Sequence, residues 1–248
     1  MKKNNFTQQL LFGLLLILLS VLFYSLHYAI FRDLHHIFLY LIGDIAFVFI
    51  EVLLVTVIIH HILNEREKQA MIKKLNMVIG AFFSEVGTPL LKFFSKFDTE
   101  SENLSKHLIV DNSWSPEHFG QVQSVLKKHN YKIDSREGDL PGLQNFIIKK
   151  RAFLLRLLEN PNLLEHEEFT ELLWAVFHLA EELSYRKSVV DLPETDFHHL
   201  SGDIKRAYNL LVREWLTHME HLKDDYPYLF SLAIRINPFD SSASVEVI

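Results

Sequence analysis

Two carboxylates stand seven residues apart in an otherwise apolar run. Asp44 and Glu51 fall within Ile37 to Ile59, where Ile, Leu, Val and Phe dominate. A charge in hydrocarbon costs at least a few kcal/mol, so proton transfer, cation passage or gating is one use for such residues. The structural alternative is polar pairing between helices or subunits, with the carboxylates protonated because burial raises their pKa. A tight hairpin turning near Phe31 to Leu34 would set Ser20 and Tyr24 beside Asp44, and Gly13 beside Glu51. Ser20 or Tyr24 could then donate to Asp44, while Gly13 would permit close helix approach or leave room for water.

Histidine supplies the second set of candidates, with 14 residues in the chain. Helices carrying His and carboxylates one turn apart can build metal sites in helical bundles. The pairs at that spacing are His178 with Glu182, His199 with Asp203, and Glu214 with His218 and His221. His178 falls opposite the apolar face that begins at Phe169, which predicts a solvated pair with Glu182. His218 falls at the centre of the face defined by Leu200, Leu211 and Leu222. It is expected to be buried, either as a core histidine satisfied by Glu214 or as a metal ligand with Glu214 and His221. His27, His35 and His36 gather with Asp33 near the hairpin turn.

Other chemistry is narrowed by absence. The chain has no cysteine, which removes disulfides, iron–sulfur clusters and thiolate zinc sites. It carries no phosphate-binding glycine loop, dinucleotide fingerprint, H-E-x-x-H or G-x-S-x-G motif, so the sequence offers no grounds for an enzyme or a cofactor. The net charge is −6 and Lys149-Lys150-Arg151 is the one dense basic run, which argues against nucleic acid as a partner.

The elements that must position these residues read as all-α. After a short basic leader, spans at about residues 6–26 and 37–59 are each long enough to cross a bilayer core of about 30 Å. No small-residue cleavage site follows the first, so it reads as an uncleaved anchor. Lys2 and Lys3 precede it, and Arg66, Lys68, Lys73 and Lys74 follow the second. The positive-inside rule then places both termini in the cytoplasm of an inner-membrane protein. Up to Leu63 there are three basic and three acidic residues, so the remainder carries the whole net charge.

The predicted organisation is a transmembrane hairpin at 1–63, a connecting helix at 64–98, a cytoplasmic α-helical bundle at 99–240 and a tail at 241–248. In the connecting helix Ile72, Leu75, Ile79, Phe82 and Val86 alternate by three and four, which is coiled-coil or bundle spacing. Sevenfold steps from Asp44 through Glu51, Ile58 and Glu65 would join the membrane charges to that seam. A straight helix drifts by about 20° per heptad, so the link is weakest near Asn64 to Lys68.

Pro89 should kink or end this helix near Thr88. Asp98 to Ser113 reads as a linker. Helices are then expected from Ser115-Pro116 to about His129, Leu140 to Glu159, Glu167 to Arg186, Glu194 to Leu222 and Pro227 to Arg235. Met77 to Phe83 and Tyr226 to Phe230 are apolar stretches suited to core packing or to a partner surface.

Two helices cannot enclose a pore, so the membrane carboxylates imply a homo-oligomer. The leading functional expectation is an oligomeric signalling or interaction protein, with a cytoplasmic protein as a possible partner. Its alternatives are a small cation channel lined by Asp44 and Glu51, and a membrane-tethered His/carboxylate metal protein.

Overall fold

The computed structural model describes residues 2–161, 163 and 166–246. Met1 of the basic leader and Val247 and Ile248 of the tail lie outside the described residues. The chain divides into two compact units, Met1–Lys68 and Gln69–Ile248. The described residues are helical apart from loops and one isolated bridge, in keeping with the all-α expectation.

The first unit holds helix α1 (Lys2–Phe31) and the beginning of α2 (Leu34–Phe82). Two residues turn the chain between them. Arg32 adopts the left-handed region at φ 48°, and its amide bonds Tyr28 O at 2.9 Å. Asp33 Oδ1 accepts the His36 amide at 3.2 Å, supplying a partner for one of the orphan donors at the start of α2. Leu11–Phe31, at 21 residues, and the apolar part of the helix from Leu34 are long and apolar enough to cross a membrane. Large apolar side chains stay exposed along both, Phe49 at 76% and Leu11 at 70%.

The second unit is a helical bundle. At the end of α2, Leu75, Ile79 and Phe82 are buried, while Ile72 is exposed. The three-and-four spacing is therefore the core-facing stripe of a bundle helix in the same chain. Ile72 lies off it.

The break expected at Pro89 takes a different form. Phe83–Gly87 form a π-helical turn, in which the Thr88 amide reaches back to Phe83 O, and α3 (Thr88–Phe94) continues beyond it. Proline lacks an amide and its ring collides with the carbonyl four residues earlier, so a widened turn carries the chain past it with less disruption than a break. Val86, Leu90, Leu91, Phe94 and Phe97 are fully buried along this stretch.

The segment expected to be a linker is part of the core. It includes α4 (Ser101–Ser105), and Leu104, Leu108 and Val110 are buried. Asp98 pairs with Ile133, the Thr99 amide bonds Lys132 O at 3.0 Å, and the buried Asn237 amide donates to Leu108 O at 2.8 Å. Its few apolar residues are irregularly spaced, which hid this packing from periodicity.

The remaining helices are α5 (Pro116–Lys128), α6 (Leu140–Leu158), α7 (Glu167–Tyr185), α8 (Glu194–Asp225) and α9 (Pro227–Arg235). Ser115 and Asp139 cap α5 and α6 by accepting the His118 and Gly142 amides at 3.3 and 2.9 Å. Helix α8 is the hub, packing on α3, α5, α7, α9 and the π turn. That role buries more than one stripe of it: besides Leu200, Ile204, Leu211 and Trp215, it buries Tyr208, Val212, Leu216 and Met219. Burial of each such apolar side chain stabilises by roughly 1.5–3 kcal/mol before entropy is charged against it. The tail is tied down in part, with the Arg235 guanidinium donating to the Val245 carbonyl.

Candidate functional site

In the first unit, Ser20, Tyr24 and Asp44 line one cleft, together with Phe23, His27 and Tyr40. This is the juxtaposition the hairpin register predicts. Among the described residues neither Ser20 nor Tyr24 donates a hydrogen bond to Asp44. At the turn the His27 and His36 rings stack at 6.3 Å. Glu51 is exposed, and a Cβ added to Gly13 would meet nothing within 4 Å. Gly13 is therefore not a point of close helix approach.

In the second unit, α8, α9, the end of α2 and the π turn surround a cavity of about 460 Å³. The amphipathic faces that build the core put His218 on its wall. The imidazole lies flat on the Phe83 ring, 4.8 Å between centroids and 9° between planes. Gly80 lies against the imidazole, where a Cβ would stand 3.8 Å from His218 Cε1, in ordinary van der Waals contact. Trp215, Leu222, Leu229 and Leu232 are among the apolar lining residues, and Asn76, Ser84, Thr88 and His221 add polar groups.

Burial, followed by the charge of His221, pushes His218 down to about 4, so its ring is neutral at physiological pH. Its Nδ1 is buried without a hydrogen-bond partner. A buried N–H without an acceptor is costly, and we assign the ring proton to Nε2, leaving Nδ1 as the unprotonated nitrogen. His218 thus stands on the cavity wall as a neutral imidazole among largely apolar side chains. His221 Nδ1 lies 2.9 Å from Asp225 Oδ2 and 3.3 Å from Asn76 Nδ2, donating to the carboxylate when protonated or accepting from the amide when not.

Glu214 does not satisfy His218. It is buried, and burial pushes it up to about 7, followed by the charge of Glu168 on α7 and its hydrogen bond. Among the described residues Glu214, His218 and His221 do not converge as a metal-binding group. The group whose ligand atoms do converge is Glu182, His199 and Asp203, all within 4.8 Å of one another.

Periodicity found the inward position of His218 but not its companions. Gly80, Phe83 and Tyr226 sit in the two apolar stretches that suited core or partner surface, and both stretches border the cavity. Glu182, His199 and Asp203 showed only within two separate pairs, His178 with Glu182 and His199 with Asp203, because their convergence depends on how α7 and α8 pack.

Residues 71–235 match the family described as "Uncharacterized protein MJ1433, C-terminal helical domain", and residues 2–63 match "MJ1433, N-terminal helical domain". The protein of Methanocaldococcus jannaschii named "Uncharacterized protein MJ1433" is 45% identical over 242 residues, covering 98% of this chain and 97% of its own. No solved structure matches the chain. With both helical segments matched and nearly the whole length aligned, the chain belongs to the MJ1433 family.

Proposed function

We propose that this is a two-span inner-membrane protein, homo-oligomeric and with both termini cytoplasmic. In this reading its helical domain binds a small, largely apolar molecule and passes that state on as a signalling or interaction protein rather than as an enzyme. The observation that carries the binding role is the His218 cavity. A volume of about 460 Å³ and largely apolar walls with a few polar side chains among them are the features of a small-molecule site. A neutral imidazole donor suits an occupant that presents one acceptor, such as a carbonyl or ether oxygen.

Membrane attachment is supported by the exposed apolar surface of Leu11 to Leu63, which finds no cover in its own unit. Helix α2 carries both the second apolar segment and three cavity-lining residues, Asn76, Met77 and Gly80, which supports communication along one element.

The test uses the full chain extracted in mild detergent. Gly80→Phe should fill the cavity, and His218→Phe should remove its donor. Solvent extracts of the wild-type protein are expected to contain a small molecule in near-stoichiometric amount by mass spectrometry. Gly80→Phe should lose it and His218→Phe should retain less. The same molecule at the same level in all three proteins would eliminate the cavity as its site.

A further inference from the structure

We propose that Glu182, His199 and Asp203 form a site for a divalent transition cation, with His178 at its edge within reach of Asp203 and Zn2+ the best match to the donor set. The site arises from one motif used twice. His178 and Glu182 are one turn apart on α7, and His199 and Asp203 are one turn apart on α8. The two helices run antiparallel: Arg186 meets Asp196, Glu182 meets His199 and His178 meets Asp203, moving steadily away from the connecting segment.

The separations from His199 to its two carboxylate partners fit a cation. His199 Nε2 lies 3.3 Å from Asp203 Oδ2 and 3.6 Å from Glu182 Oε2. His178 Nε2 lies 3.6 Å from Asp203 Oδ2 and 4.0 Å from Glu182 Oε1. Nitrogen and oxygen ligands about 2.0–2.2 Å from a tetrahedral ion stand about 3.3–3.6 Å apart. Octahedral ligands would stand closer, at about 3 Å.

Asp203 is the observation that separates this group from an ordinary surface ion-pair cluster. It is only 5% exposed, and its Oδ2 accepts no hydrogen bond although two imidazoles face it. One ligand atom from each of Glu182, His199 and Asp203 lies within 4.8 Å of the others, so the three side chains face one small volume. A cation there satisfies all of them, including the buried oxygen.

The surroundings hold the ligands in place. Arg186 donates to Glu182 Oε2 at 2.7 Å and to both Asp196 oxygens at 2.6 and 2.9 Å. Arg206 lies 3.6 Å from the other Asp203 oxygen. Three carboxylates against two guanidiniums leave net negative charge for the metal. His178 and His199 are about half exposed, which gives the ion an entry path. Imidazole with carboxylate suits Zn2+ over the all-oxygen shells of Ca2+ and Mg2+.

The experiment titrates ZnCl2 into chelator-treated full chain in detergent by calorimetry. The expected result is one saturable equivalent per chain at micromolar affinity or tighter. His199→Gln should weaken it by roughly 100-fold, and the more peripheral His178→Gln by roughly tenfold. Both changes are at half-exposed positions, and circular dichroism should confirm unchanged helicity. Co2+ in place of Zn2+ should give the intense visible bands of a tetrahedral complex. No saturable equivalent, unchanged affinity in His199→Gln, or an octahedral Co2+ spectrum would each overturn the proposal.

Discussion

Glu214 and His218 stand four residues apart on α8, and both are pushed toward their neutral forms. Glu214 is raised from 4.5 to about 7, so between those values the folded protein binds more protons than the unfolded chain and stability falls as pH rises. His218 is lowered from 6.5 to about 4, so across that window the unfolded chain binds more protons and stability rises with pH. The slopes oppose each other between pH 4.5 and 6.5, where they largely cancel in the wild-type protein. Each replacement should unmask the other residue. Relative to wild type, Glu214→Gln should gain about 3 kcal/mol as pH rises through the Glu214 window, and His218→Phe should lose about 3 kcal/mol through the His218 window. Unfolding of the full chain followed by circular dichroism at a series of pH values measures both. Variant-minus-wild-type differences that stay flat with pH would remove the assignment. The inward position of His218 was legible from 3.6-residue periodicity. Glu168 as the partner of Glu214 was not, because it lies on another helix and its own surroundings read as solvent.

At the scale of elements, the punctuation of the bundle was legible where it is chemical. Ser115 with Pro116, Leu140 with Pro141, and Tyr226 with Pro227 mark helix starts by capping or by proline's missing amide, and the structure begins helices at those points. The π turn was not legible, because its cause is a conflict between Pro89 and continuing apolar periodicity that the sequence alone resolves either way. Gly87 is what makes the turn fit. A Cβ there would stand 2.5 Å from Phe83 Cδ1 and 3.0 Å from Phe82 Cε1, and both rings are buried. Phe83 cannot swing aside without leaving its stack on His218. Gly87→Ala should therefore destabilise by about 1–3 kcal/mol, as overpacking does. Gly120, in the interior of α5 with nothing within 4 Å of its Cβ, is the matched control. Gly120→Ala should stabilise by about 0.5–1 kcal/mol through helix propensity alone. Thermal unfolding of the two variants should shift in opposite directions. A shift of the same sign in both would mean the π turn can relax around the added methyl.

At the scale of the molecule, the distribution of charge and of exposed carbon divides the chain more sharply than its average composition does. The first unit exposes Leu, Ile, Val and Phe along both helices, whereas the second buries its apolar residues around α8 and carries the acidic excess. A two-residue turn at Arg32 and Asp33 leaves no room for a folded segment between the apolar stretches, so insertion would place that turn on one side and both termini on the other. The basic residues flanking the stretches favour the turn outside. Because the chain has no cysteine, single-cysteine labelling can read this arrangement without background. His35→Cys, exposed next to the turn, should react with a membrane-impermeant maleimide in intact cells. Ser241→Cys, exposed after α9, should react only after permeabilisation. The reverse pattern would invert the topology, and recovery of the protein in the soluble fraction would rule out the two-span reading. The measurement also bears on the carboxylates, because Asp44 shares its cleft with Ser20, Tyr24 and the turn-side His27. With the turn outside, any proton or cation reaching Asp44 by the short route comes from the external face, whereas His218 and the α7–α8 cluster would face the cytoplasm.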